Sequence, residues 1–407
     1  MSAVADVVGK VVHKVRPMST ARKIALYAVI TLVLYGAVIV IDNVFLVDMF
    51  GETSHPDLDV YRDRTQTILD GGLLYRDVHT ETPPLINYIL VPAQLLGGAE
   101  HDWVWSAYFS FFAFLLASIM YLFLRSHDEW KAYLVGAIVL LSPFTFIESG
   151  TGEDESIMAF VFLLSVLLMA FQHRHKASIV VGAGIWTKMF PILLAPVHIL
   201  QQRNWKDRMM VVLIVLAATA LIALPFIILC WDDFSFFLDF YFLGNDERPT
   251  GGSSIWHFLN MGGWGVPSIV QLGVLGVAMM FAYLYPYHKR WPVWPSVTLM
   301  ILVFFAFYPK IHGGYWIILV ALLSVWAVQD KRIFWRILLA FIPLILATAF
   351  ALGEGTEPPV EFYGSWLLGF FLALIGLLMF ADAVRLALKK GSFIDGTSNE
   401  RNENIEQ

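Results

Sequence analysis

Apolar residues in this chain fall in long unbroken runs, and the polar residues collect between them. Runs of roughly 17 to 25 residues recur from end to end, the length that carries a helix across a hydrocarbon core about 30 Å thick. Helices satisfy their own backbone groups in lipid, and the runs lack the alternation of a transmembrane barrel. The pattern therefore predicts an all-α, polytopic membrane protein. Composition agrees: of 407 residues, 58% are hydrophobic and 15% charged, more apolar surface than a soluble domain can hide. Arg22 and Lys23 lead into the first run, roughly 24 to 46, without a small-residue cleavage site, so this helix is expected to stay as a signal anchor. Residues 1–390 read as a single transmembrane domain, and the polar, aperiodic stretch 391–407 as a disordered cytoplasmic tail.

Charge then orients the runs, because basic residues gather on the cytoplasmic side. Arg125 and Lys131, Arg174 and Lys176, Arg203 to Arg208, Lys289 and Arg290, Lys331 to Arg336 and Arg385 to Lys390 all lie inside under one assignment. It predicts both termini inside and about twelve membrane helices. Two segments must then stop short of crossing. Residues 83–98 span only about 24 Å as a helix, are broken by Pro92, and are expected to lie at the outer interface. Residues 177–200, with TKMFP in the middle, are expected to form a hairpin of two short helices turning near Lys188; their length also allows one span. Six of the 27 basic residues stay outside or in the membrane: Arg62, Arg64, Arg76, Lys188, Arg248 and Lys310. These exceptions are candidates for binding an anion. The net charge of -6 and its uneven spread suggest no nucleic-acid partner, and the single cysteine, Cys230, leaves the outer loops without an intrachain disulfide.

The outer loops carry the candidate chemistry. Residues 47–98 form a polar extracytoplasmic loop with interfacial helices, in which Asp57, Asp59, Asp63, Asp70, Asp77 and Glu81 stand among three arginines. A helical pattern through Val60, Thr67 and Ile68 stops at Gly71–Gly72. The turn SGTGEDES places Glu153, Asp154 and Glu155 at a helix start, where they serve as first-turn caps or, for Asp154 and Glu155, as weak metal candidates. Residues 231–265 form a second long outer loop, rich in glycine and polar groups and expected to act as a substrate lid. In YPKIHGGYW, a lysine and a histidine two residues apart precede a pair of glycines, so Lys310 and His312 can both face a cavity. Lys188 lies near mid-membrane, where an ammonium must reach water or meet an anion, and the second is expected.

DLDVYRD, ILDGGLLYRD, ETPPLINY, GEDES, GIWTKMFP and YPKIHGGYW follow one another as in GT-C glycosyltransferases, and the order most resembles family 87, the polyprenyl-phosphomannose-dependent mannosyltransferases. The resemblance implies transfer of a hexose, mannose by default, from a polyprenyl-phosphate-sugar to a lipid-linked or glycan hydroxyl at an extracytoplasmic site, in the plasma membrane. It implies Asp57 as general base, with Asp59 as the competing carboxylate and His312 as partner of the aspartate. The donor phosphate is expected at Lys188, Lys310, Arg62 and Arg248, and substrate contacts at Tyr61, Glu81 and Tyr315. No cofactor is expected, and a divalent metal is not favoured. A carboxylate that takes the hydroxyl proton while the anomeric centre gains positive charge suits this reaction. A transporter or lipid flippase, and a non-catalytic subunit of a glycan-assembly complex, are the competing classes.

Overall fold

The structure, a computed structural model, describes residues 13–46, 57–238, 250–351 and 366–394. It is helical almost throughout. After α1 (Thr20–Phe45) come two shorter helices, α2 (Asp57–Leu69) and α3 (Pro84–Ala93). The next are α4 (Asp102–Leu124), α5 (Glu129–Leu141), α6 (Pro143–Gly150), α7 (Glu155–Ala170) and α8 (Arg174–Lys188). Then follow α9 (Leu194–Leu200), α10 (Trp205–Leu229), α11 (Trp231–Leu238), α12 (Ile255–Met261) and α13 (Ser268–His288). The chain closes with α14 (Val293–Phe307), α15 (Trp316–Ala327), α16 (Lys331–Ala351) and α17 (Trp366–Lys389). Two short strands, β1 (Gly251–Gly252) and β2 (Lys310–Ile311), pair in parallel.

Among the described residues, six helices are long and apolar enough to cross a membrane: α1, α4, α10, α13, α16 and α17. The pair α5 and α6, bent by 49°, makes a seventh if it is one span. The bend falls at Ser142–Pro143, because proline offers no N–H and pushes the preceding residue out of helical geometry. Leu140 O, close to the break, accepts the buried Tyr35 hydroxyl from α1 at 3.0 Å. At the centre stands α15, apolar on every side and buried at all twelve of its residues. Around it, α1, α10 and α13 turn leucines and isoleucines such as Leu32, Leu221 and Ile269 outward, as lipid-facing helices do.

The two short segments are resolved in different ways. α8 ends at Lys188, Met189 takes a positive φ of 20°, and a tight turn over Phe190–Leu193 leads into α9. Ser178 Oγ and His198 Nε2 lie 3.0 Å apart, so the second limb returns beside the first. Pro92, by contrast, does not break residues 83–98. It sits inside α3, which runs on into a wider π-helical turn from Gln94 and is broken instead at Gly97, with a φ of 110°. That wider turn re-routes hydrogen bonds next to a residue that cannot donate one.

Groups from distant parts of the chain sort onto two opposite faces. On one, Lys23 binds Glu129 at 2.8 Å, Arg125 reaches Thr20 Oγ1 at 2.8 Å, Arg174 pairs with Asp207, and Lys390 meets Asp330 at 2.8 Å. On the other lie α2, α3, the acidic turn before α7, and β1 with β2. The end of the tail, 395–407, is outside the described residues.

Candidate active site

Helix α2 puts two different faces forward. Asp57, Tyr61 and Arg64, spaced i, i+4 and i+7, share one stripe. Tyr61 and Arg64 are buried, while Asp57 ends the stripe in the open. Asp59 lies about 200° round the helix from Asp57. Its carboxylate is almost wholly exposed and pairs with Arg62 at 3.0 Å. Arg62 also donates to Gly98 O at 3.0 Å and pairs with Asp102, fastening α2 to the turn before α4. Its guanidinium, expected at the donor phosphate, is thus engaged on three sides by the protein itself. Arg64 donates to Thr82 Oγ1 at 3.1 Å and reaches Glu81 at 3.4 Å, but its Nε is buried without a partner. α2 stops where the two glycines stand: Gly71 has a φ of 79°, and Gly72 N–H donates to Thr67 O at 2.8 Å.

The stripe faces a charged cluster. Lys188, at the end of α8, pairs with Asp154 and, at 2.6 Å, with Glu155. In the structure this lysine's partners are a pair of carboxylates from its own chain. Asp154 occupies the N-cap position of α7 yet makes no side-chain cap bond, so the first-turn capping expected of the acidic turn gives way to the ion pair. The reason is cost: an ammonium at that depth is far more expensive to leave unpaired than a helix N–H. Glu155 Oε2 is buried without a partner. Tyr61 comes close enough that, after burial itself, the Asp154 carboxylate helps push its phenol well above the ordinary range. The Lys188 ammonium lies 5.9 Å from the Tyr315 ring centroid. Among the described residues, no group of three or more His, Cys, Asp or Glu side chains takes a metal-binding arrangement.

The loop from Tyr308 to Tyr315 closes the third side. β1 pairs it to the second outer loop, with Gly251 opposite Lys310 and Gly252 opposite Ile311. Gly252, at a φ of 60°, brings its backbone so near Ile311 O that a Cβ would sit 1.9 Å away. Gly313 and Gly314 are equally constrained: a Cβ on Gly313 would meet Glu148 Oε1 at 2.1 Å, and one on Gly314 would meet Glu155 Cβ at 2.6 Å. Gly313 therefore lies directly on the Glu148 carboxylate of α6, and Gly314 on the stem of Glu155 of α7.

His312 is 5.2 Å from the Tyr315 ring and exposed. Solvent reaches it, yet protein surrounds it so closely that desolvation, joined by Lys310 and then Lys188, depresses its imidazole to about 3. The histidine is thus neutral at ordinary pH. Among the described residues, no hydrogen bond, ion pair or ring contact joins His312 to Asp57; the acidic group felt by the imidazole is Asp154. Arg248 lies outside the described residues, as does the middle of the loop expected to form a lid, residues 239–249.

Two participants escaped the sequence reading, Glu148 and the Gly251–Gly252 strand; Arg64, a candidate there for binding an anion, reaches Glu81 of its own chain. Glu148 stands inside an apolar run, and that isolation was its one signal. The glycine strand left none, since parallel pairing of two residues with a distant loop is not encoded locally.

The fold is of GT-C type. The structure of ArnT from Cupriavidus metallidurans, bound to undecaprenyl phosphate, superposes with a TM-score of 0.53 over 88% of this chain and 76% of that one, at 15% identity. The model of glycosyltransferase family 87 matches residues 82–309, more than half of the chain, and the protein belongs to that family. GPI mannosyltransferase 1 of Eremothecium gossypii is 26% identical over half of this chain and 52% of its own length. Its counterparts in Dictyostelium discoideum and Saccharomyces cerevisiae are also 26% identical, over 38% and 34% of this chain and 36% and 34% of their own. The chain thus spans about half the length, or less, of the curated relatives it matches. It is an integral membrane protein.

Proposed function

We propose that the protein transfers a hexosyl group, mannose by family default, from a polyprenyl-phosphate-sugar to the hydroxyl of a lipid-linked or glycan acceptor on the extracytoplasmic face. The observation that carries this reading is the α2 stripe: Asp57 heads it, and one and two turns below it Tyr61 and Arg64 enter the charged cluster. In this reading Asp57 takes the proton of the acceptor hydroxyl as the bond from the anomeric carbon to phosphate breaks. The departing lipid phosphate carries its own charge away, met by Lys310 at the mouth of the cleft. Lys188, already neutralised by two carboxylates, instead holds the acidic turn against the helical hairpin. Neutral His312 supplies a hydrogen-bonding group beside the reacting atoms. Tyr315, Glu81 and Arg64 line the space for the sugar.

The topology follows the same reading: about twelve membrane helices including the two hairpin limbs, both termini inside, and the cleft outside. The test is transfer by purified protein in lipid nanodiscs, with a short polyprenyl-phosphate-mannose as donor and an octyl mannoside as acceptor. A product one hexose larger than the acceptor, with release of polyprenyl phosphate, is expected. Failure to consume the donor by either transfer or hydrolysis overturns the reading.

A further inference from the structure

One group in the cluster has no part in the proposed transfer. Glu148 stands near the end of α6, the arm of the bent pair beyond the Ser142–Pro143 break, and points at the His312 loop. Its Oε1 occupies the space where a Gly313 side chain would begin, and the Gly314 backbone N–H is directed at its carboxylate. Gly314 rests in turn on Glu155, whose other end pairs with Lys188 at 2.6 Å. The two glycines are thus caught between the Glu148 carboxylate and the Glu155 stem, on different helices. On the far side of the loop, β1 pins Lys310 and Ile311. The backbone carrying His312 is therefore held from both sides, by strand pairing before it and by the Glu148 contact after it. Within the loop, Tyr315 N–H donates to His312 O at 3.2 Å, so moving the glycines moves the histidine.

We propose that Glu148 is the positioning residue of this loop: its carboxylate seats Gly313–Gly314 and so fixes where Lys310 and His312 stand in the cleft. Its position makes the bend in the α5–α6 pair functional, because the bend aims α6 and its carboxylate at the loop. The requirement is for an acceptor oxygen of the right reach, and no charge transfer or proton movement is involved. The catalytic consequence rests on the reading of His312 as part of the transfer site; the seating does not.

Two measurements on the full-length protein in nanodiscs separate these. Hydrogen–deuterium exchange of the peptide covering residues 308–316 reads the seating. Transfer from polyprenyl-phosphate-mannose reads the consequence. Glu148→Ala should raise exchange in that peptide and lower kcat by roughly 100-fold, the scale of loss that a misplacement of about 1 Å produces, with KM for the donor nearly unchanged. Glu148→Gln keeps the acceptor oxygen and should restore both. Gly313→Ala, which disturbs the same contact from the loop side, should reproduce Glu148→Ala if that variant folds poorly. Unchanged exchange in Glu148→Ala, or failure of Glu148→Gln to rescue, overturns the proposal. Raised exchange with undiminished transfer leaves the seating in place and overturns the catalytic reading of His312.

Discussion

At the scale of single residues, the two aspartates of α2 show what a sequence can and cannot separate. Asp57 and Asp59 are chemically identical and two positions apart, and the family order alone leaves them in competition. Helix geometry divides them: Asp57 shares the stripe of Tyr61 and Arg64, while Asp59 turns away to Arg62. Asp57→Asn should therefore lower kcat at least about 100-fold, in the range of a lost general base, with donor binding retained. Asp59→Asn should stay within a few-fold of the parent. Radiometric transfer assays decide it, and the opposite ranking removes Asp57 from the mechanism. His312 carries a second expectation. Its folded-state value is depressed by burial and by Lys310, so it is neutral from pH 5 to 8 and its protonation shapes no limb of the rate profile there. The same depression bears on stability. As pH falls through the unfolded value, about 6.5, toward the folded one, the unfolded chain takes up a proton that the native chain refuses, and stability drops. His312→Gln should flatten that part of the melting-temperature profile between pH 7 and 5. An equally steep profile in the variant refutes the depressed imidazole.

At the scale of elements, the helical hairpin was legible because TKMFP puts a lysine and a proline in the middle of an apolar stretch, and neither suits the centre of a single span. What the lysine meets was not legible, because Asp154 and Glu155 lie 34 and 33 positions earlier, and only packing of α7 against α8 brings them within reach. For the same reason local rules make the acidic turn a helix cap: they rank a carboxylate at a helix start that way, and the pull of the Lys188 ammonium outranks it. Lys188→Ala leaves two buried carboxylates without their cation and should cost roughly 3–5 kcal/mol of stability. Thermal melting in detergent measures this, and adding Asp154→Asn and Glu155→Gln should recover much of the loss. A variant that melts like the parent would show that the pair contributes nothing. Because the carboxylates are taken up by Lys188, transfer should also survive a chelator. Abolition that a divalent ion reverses would return Asp154 and Glu155 to a metal.

At the scale of the whole molecule, long apolar runs and flanking charges made the helical fold readable from one end of the chain to the other. The bundle order was not readable: nothing in its composition distinguishes α15, wholly buried, from α14 beside it. Sidedness stands between the two, since charge statistics assign a side to each helix end and the structure shows which ends stand together. The basic ends do gather: Lys23, Arg125, Arg174 and Lys390 share one face with their acidic partners. Absolute orientation then reduces to one measurement. α4 begins at Asp102, which pairs with Arg62 of α2, and its 23 residues descend about 34 Å to Leu124. If α4 crosses the bilayer, Asp70, at the exposed end of α2, and Ser126, just past α4, lie on opposite sides of it. In a Cys230→Ser background, Asp70→Cys should react with a membrane-impermeant maleimide on intact cells, and Ser126→Cys only after permeabilisation. Labelling of Ser126→Cys alone on intact cells would invert the molecule and put the cleft in the cytoplasm, where the proposed donor side is wrong. Labelling of both would mean that α4 does not cross, and would overturn the assignment of sides.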